Sequence, residues 1–305
     1  MILDYVYDQE AAQPDKVDLT QPMGQGEVVD YTWGQTMDQA RRMAAHLKGL
    51  ALEPGARIAI LAKNSAHFFM AELAIWMAGG TTVAIFATET ADNVRFVLDQ
   101  CEASLLFIGR LDAWEQQKGA VPAGLPCIAL PLAPATGFPA WDDIVARTAP
   151  LGGRPARRAD DLAMLLYTSG STGLPKGVMQ SFGRITHAVE SSIADPLLQF
   201  PEDRDWRVLS YLPLAHAYER AVVACRTLID GRGHVFFCDS VATFTEDIKR
   251  ARPMLFVSVP RLWLKFQQAI FAALPPAQLM RCSTTPRRAK PCSARCWAAW
   301  GWKIR

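Results

Sequence analysis

Thirteen residues concentrate the chemistry in this 305-residue chain: Tyr167-Thr168-Ser169-Gly170-Ser171-Thr172-Gly173-Leu174-Pro175-Lys176-Gly177-Val178-Met179. Four hydroxyls and two glycines fall between Thr168 and Gly173. Glycines let backbone amides turn toward an anion, and hydroxyls add further donors. Lys176 supplies a positive point charge suited to a polyphosphate. The segment follows an apolar run, Leu162-Ala163-Met164-Leu165-Leu166, that reads as a strand. A strand, this hydroxyl density and one fixed lysine describe a phosphate-binding turn better than a solvated loop. It is not a Walker A loop, because Pro175 precedes the lysine and Gly177 follows it. The dinucleotide pattern G-x-G-x-x-G is absent as well.

His216 and Glu219 form the second candidate, three residues apart in Ser210-Tyr211-Leu212-Pro213-Leu214-Ala215-His216-Ala217-Tyr218-Glu219-Arg220. Two readings are open from the residues alone. The pair could begin a metal site, although no third ligand lies nearby in sequence. The commoner arrangement is a histidine in the core or lining a channel. Arg220 reads as an ion-pair partner for Glu219. Arg261 and Trp263 read as structural, with the indole packed in a core.

The elements that must position these groups alternate. Helices are expected over 34–50, 91–101, 181–195, 217–229, 243–251 and 260–273, with a short one near Trp141-Asp142-Asp143-Ile144. Strands are expected over 57–62, 82–86, 104–108, 126–130, 162–167, 207–212, 234–238 and 254–258. Asn64 and Ser65 are candidate caps for a helix that follows the strand at 57–62. Residues 68–87 carry one charge, Glu72, over a length that could span a membrane. Gly79-Gly80 divides that run, so a buried helix and then a core strand is the expectation. Residues 131–160 read as a surface connection. The alternation predicts an α/β fold with a mostly parallel sheet.

YTSGSTGLPKGVM resembles the phosphate-binding loop of the adenylate-forming superfamily, over thirteen continuous residues. The run from Ser210 to Arg220 looks like a segment of long-chain fatty acyl-CoA synthetases, as does Ser258-Val259-Pro260-Arg261-Leu262-Trp263. Residues 31–109 are similar to the first subdomain of those enzymes, and the resemblance covers roughly 25–275. It implies the doubly wound, mostly parallel sheets of the adenylate-forming N-terminal domain, incomplete here, without the small C-terminal domain. It also implies ATP and Mg²⁺, with CoA as co-substrate and a fatty acid as the carboxylate. An aryl acid or amino acid is the alternative carboxylate. Thr168, Ser169, Gly170, Ser171, Thr172, Gly173 and Lys176 would hold the ATP phosphates, with Thr168 near the metal. His216 would border the acyl and adenylate pocket. The family's later adenine, ribose and metal-glutamate segments, and its distal catalytic lysine, are not found in this sequence. Negligible adenylation by this chain alone is therefore the expectation, and a non-enzymatic product is the competing reading.

Composition bounds the rest. The formal charge of +2 comes from 32 basic and 30 acidic residues. Residues 279–305 hold seven bases and no acid, so residues 1–278 carry 25 bases against 30 acids, a net of −5. A nucleic-acid surface is not expected on the main body. A 1–278 AMP-binding portion and a 279–305 tail outside the family pattern are the expected divisions. The tail contains Cys282, Cys292, Cys296 and three tryptophans. A zinc site, a basic aromatic tail and a reading-frame change compete for it. Back-translation with one permitted choice of codons favours the frame change, because many Cys and Trp codons then re-read as Leu. Cys101, Cys127, Cys225 and Cys238 are scattered, which reads as reduced, buried thiols in a cytoplasmic protein. Peripheral contact with a membrane is compatible with a fatty substrate. No specific protein partner is indicated.

Overall fold

A computed structural model describes residues 1–168, 175–195, 199–200, 204–256 and 258–273. Ser169, Gly170, Ser171, Thr172, Gly173 and the whole 279–305 tail lie outside the described residues.

The chain opens with α1 (Ile2–Ala12), β1 (Val17–Gly24), β2 (Glu27–Thr32) and α2 (Trp33–Gly49). Then follow β3 (Arg57–Leu61), α3 (Ala66–Ala78), β4 (Thr81–Ile85), α4 (Ala91–Gln100) and β5 (Leu105–Ile108). The next elements are α5 (Trp114–Gln117), β6 (Cys127–Ala129), α6 (Trp141–Arg147), β7 (Leu162–Thr168), β8 (Lys176–Ser181) and α7 (Phe182–Ala194). β9 (Trp206–Ser210) leads into a continuous helical stretch: α8 (Ala217–Glu219), a π-helical segment Arg220–Cys225, and α9 (Arg226–Asp230). β10 (Gly233–Phe237), α10 (Phe244–Ala251) and α11 (Pro260–Ala273) complete the described fold.

The strands form two sheets. One has six strands in the order β6-β5-β3-β4-β7-β8, parallel except for the β7–β8 hairpin. The other has four, β2-β1-β10-β9, with β1–β10 and β10–β9 parallel and β1–β2 antiparallel. Side chains alternate across a strand, so each sheet presents two faces. Ile58 and Ile60 of β3 enter a core shared with Leu19, Val208, Val235 and Phe237 of the four-stranded sheet. Ala59 and Leu61 face the opposite way, onto α4 and α5. The outer face of the four-stranded sheet packs Leu209 against Ile248 of α10. Helices on both faces make the expected doubly wound α/β arrangement.

α3 lies in the shared core, with every residue from Ala66 to Met77 buried. A helix apolar all round belongs in an interior. Ser65 caps it by accepting from the Phe68 amide. Gly79 ends it at φ 95°, a left-handed turn that a Cβ would strain. β4 follows at once, so the run over residues 68–87 is a buried helix and a core strand, as expected. Among the described residues, no helix is long and apolar enough to cross a membrane. Cys101, Cys127 and Cys225 are buried, and Cys238 is half-buried.

Several expectations need correction. Leu255 makes only an isolated bridge to Val208, so the strand expected over 254–258 does not form among its described residues. Pro253 precedes it without an N–H to donate. The helix expected at 217–229 contains the π segment. Trp263 is 49% exposed on α11, touching Phe256 and Phe266 at their edges rather than entering a core. α1, β1 and β2 were not expected, nor were α5 and β8. β1 has no clean alternation because five consecutive residues, 18–22, are buried, three of them polar.

Candidate functional site

β7 lies between β4 and the edge strand β8 of the six-stranded sheet and ends at Thr168. β8 returns antiparallel, with Thr168 opposite Lys176 and Tyr167 opposite Gly177. β7 and β8 therefore form a hairpin, and the hydroxyl- and glycine-rich segment is the connection between them. Thr168 and Lys176 are both exposed at its mouth. Gly177 packs closely on the tyrosine: a Cβ there would sit 3.2 Å from Cζ of Tyr167. The Tyr167 hydroxyl in turn donates to Oε1 of Gln100 at the end of α4. Burial pushes the Tyr167 phenol up to about 12, so it stays protonated as a donor. Sequence reading passed over this brace; the pairing of an aromatic with a glycine after the lysine was the available signal.

Parallel strands bring their carboxyl ends to one side, where α/β proteins bind ligands. The carboxyl ends of the two sheets are tied together here. Asn64, just after β3, donates from Nδ2 to Ser210 Oγ at 2.9 Å and to the Leu212 carbonyl at 2.7 Å. Its Oδ1 accepts from the Leu214 amide at 2.9 Å. Arg110, after β5, pairs with Asp239, after β10. Asn64 is thus a bridge between sheets, while the cap role belongs to Ser65.

His216 begins α8. Its amide donates to the Pro213 carbonyl at 2.8 Å, and its Nδ1 accepts from the Tyr218 amide at 3.2 Å. An accepting Nδ1 leaves the proton of the neutral ring on Nε2. The ring is exposed while Leu214 and Ala215 beside it are buried. Glu219 points the other way, 2% exposed, and accepts from Ser210 Oγ at 2.8 Å. Burial pushes its carboxyl up to about 8, against the pull of the Ser210 hydroxyl and Tyr211 amide. The two residues thus face apart. Among the described residues, no three His, Cys, Asp or Glu side chains gather where they could hold a metal.

Arg220 does not pair with Glu219. Its guanidinium donates to Oε2 of Glu72 at 2.6 Å, with both side chains fully enclosed. It also lies over the Phe68 ring at 4.8 Å. The single charge of α3 is therefore the partner of the first residue of the π segment. Burial raises the Glu72 carboxyl and the nearby Arg220 opposes that rise. Sequence spacing could not find this pair, because 148 residues separate its members.

The structure thus brings Thr168 and Lys176 together across the hairpin. His216 stands on a separate turn, with no hydrogen bond to either among the described residues. Thr168 offers one hard oxygen donor. That supply fits a small hard cation completed by waters and phosphate oxygens, not a tetrahedral zinc.

The solved structure of the anthranilate CoA ligase AuaEII with anthranoyl-AMP aligns over 91% of this chain and 52% of its own. Its TM-score is 0.76 at 20% identity. The o-succinylbenzoate CoA synthetase of Bacillus subtilis with ATP and magnesium ion aligns over 82% of this chain and 62% of its own. Its TM-score is 0.65 at 22% identity. These likenesses establish the adenylate-forming N-terminal fold. In sequence, the chain is 31% identical over 279 residues to the long-chain-fatty-acid–CoA ligase FadD15 of Mycobacterium bovis, covering 85% of this chain and 44% of that protein. It is 29% identical over 253 residues to the human long-chain-fatty-acid–CoA ligase ACSBG2, covering 78% and 37%. The chain spans less than half the length of these relatives. The AMP-binding enzyme model matches residues 6–300, and by that match the chain belongs to the AMP-binding enzyme family.

Proposed function

We propose that this chain is the ATP-phosphate-binding portion of a ligase that activates a long-chain fatty carboxylate and passes it to CoA. The β7–β8 hairpin carries the reading: it presents Thr168 and Lys176 side by side at the mouth of a loop of hydroxyls and glycines. A carboxylate oxygen attacks the α-phosphorus of ATP, the bond to the β-phosphate oxygen breaks, and pyrophosphate leaves. The CoA thiolate then attacks the acyl carbon and AMP leaves. Such steps depend on positioning and on neutralising charge.

Ser169, Gly170, Ser171, Thr172 and Gly173 supply donors to the β- and γ-phosphates, and Lys176 supplies the point charge. Thr168 would hold Mg²⁺ through its hydroxyl, and the bound ion would neutralise phosphate charge. The outward Nε2–H of His216 is a donor for a waiting carboxylate. The fatty substrate is supported by the relatives' names and by the Leu212–His216 and Val259–Trp263 runs.

Direct titration with ATP and Mg²⁺, followed by ATP–pyrophosphate exchange with palmitate, benzoate and L-aspartate, tests this. ATP binding, and a preference for palmitate in whatever exchange occurs, is expected. Absent ATP binding, or a preference for benzoate or aspartate, would overturn it. Negligible exchange by the chain alone is part of the proposal, and robust turnover with palmitate would remove that part only.

A further inference from the structure

The turn that presents His216 is held from outside its own sheet. The Asn64 carboxamide spends every bond on it: two donations, to Ser210 Oγ and the Leu212 carbonyl, and one acceptance, from the Leu214 amide. Only one orientation of the amide satisfies all three, since the flipped group would set Oδ1 against a carbonyl. Ser210 relays the hold. Its hydroxyl accepts from Asn64 and donates to Oε1 of Glu219 at 2.8 Å. Residues 210–219 are thus pinned near both ends by one continuous chain of hydrogen bonds, with His216 between the pins. The local bonds of His216, to Pro213 and Tyr218, set its ring only relative to that turn.

We propose that Asn64 is a positioning residue for His216, fixing the 210–214 turn against the six-stranded sheet so that the imidazole Nε2–H faces outward. Its consequence for carboxylate binding rests on the role proposed for His216; the anchoring itself does not. The lone polar carboxamide after β3, in place of a second cap, has no other use among the described contacts.

The test uses the full chain as wild type, Asn64→Ala, Asn64→Asp and Ser210→Ala. Amide exchange of Leu214 is read against Leu106 in β5, together with the ¹⁵N shifts of the His216 ring. In Asn64→Ala, Leu214 should exchange about fivefold faster or more, the magnitude of one lost hydrogen bond. Leu106 should not change, and the two His216 nitrogen shifts should move toward each other as the tautomers mix. Asn64→Asp keeps the acceptor, so Leu214 protection should persist while the His216 shifts still move. Unchanged Leu214 exchange and unchanged His216 shifts in Asn64→Ala would overturn the proposal. Should that variant fail to melt cooperatively, Asn64→Asp and Ser210→Ala decide by the same His216 shifts. Titration with palmitate adds a separate arm. A weakened palmitate affinity with an unchanged ATP affinity in Asn64→Ala supports the consequence for substrate. Altered His216 shifts with an unchanged palmitate affinity would leave the anchoring standing and remove the role of His216.

Discussion

The two halves of the candidate site are built differently. The phosphate hairpin is closed by backbone pairing, and its chemical groups, Thr168 and Lys176, sit in solvent. The His216 turn is held by side chains that are buried or half-buried: Asn64 from distant sequence onto Ser210, Ser210 onto Glu219, and the distant Glu72 onto Arg220. A ladder tolerates change in exposed side chains, because its bonds are made by the main chain. A buried polar network does not, because each lost partner leaves a desolvated group behind. Substitutions in the hairpin should therefore alter ligand binding and spare stability. Substitutions under the turn should do the reverse.

The largest expected effect is at the enclosed ion pair. Glu72→Ala leaves Arg220 charged and unpaired in the interior, which should cost about 3–5 kcal/mol of unfolding free energy. Urea melts measure it. The double variant Glu72→Leu with Arg220→Met removes both charges and should recover most of that loss. A double variant as unstable as Glu72→Ala would show that the π segment, not the unpaired charge, sets the cost.

Glu219 gives the same contrast a pH signature. Burial holds its carboxyl at about 8, against an ordinary 4.5. The folded state thus binds its proton more tightly than the unfolded state does. Its contribution is fully present below pH 4.5 and is lost as pH rises through 8, with a slope of at most about 1.4 kcal/mol per pH unit. Glu219→Gln should flatten the fall in stability across that window. Asp18, also held at about 8 by burial, keeps its own share in the variant. Identical pH profiles for the two proteins would break the assignment.

Within the hairpin, one position should behave like the buried half. Gly177→Ala places a methyl against the Tyr167 ring, at 3.2 Å from Cζ. Displacing a ring that is hydrogen-bonded to Gln100 should cost about 1–3 kcal/mol. Adding Tyr167→Leu, which shortens the obstacle, should make the alanine nearly silent in thermal melts.

What was legible in the sequence follows the same division. The hairpin chemistry lay in thirteen continuous residues, and the strand before it in an apolar run. α2 and α4 carried clear helical periods, while α3 and β3 to β5 showed as continuous apolar runs because they are buried on every side. The His216 turn was found, but not what holds it. Asn64 looked like a cap because local spacing shows only local bonds, and its partners lie 146 to 150 residues away. Arg220 was matched to its neighbour Glu219 for the same reason. β1 escaped because buried Asp18, Thr20 and Gln21 break the apolar alternation, each satisfied by a hydrogen-bond partner. Trp263 was placed in a core because aromatics usually pack, yet α11 leaves it half exposed beside Leu264 and Phe271.

Lys176 is the cleanest test of the exposed half. Its side chain is exposed, and its main chain is already paired through the hairpin ladder, opposite Thr168. Lys176→Ala should thus keep the ladder and change the melting free energy by less than about 0.5 kcal/mol. The removed charge should weaken ATP about tenfold, near 1.4 kcal/mol, because a phosphate loses its point-charge partner. Lys176→Arg keeps the charge but spreads it over a planar fork, so partial recovery is expected. Titration with ATP, ADP and AMP sharpens the assignment further. The loss should be large for ATP and ADP and small for AMP, since the loop is read as a β- and γ-phosphate site. An equal loss for all three nucleotides would move Lys176 away from the distal phosphates, even if the hairpin itself still binds ATP.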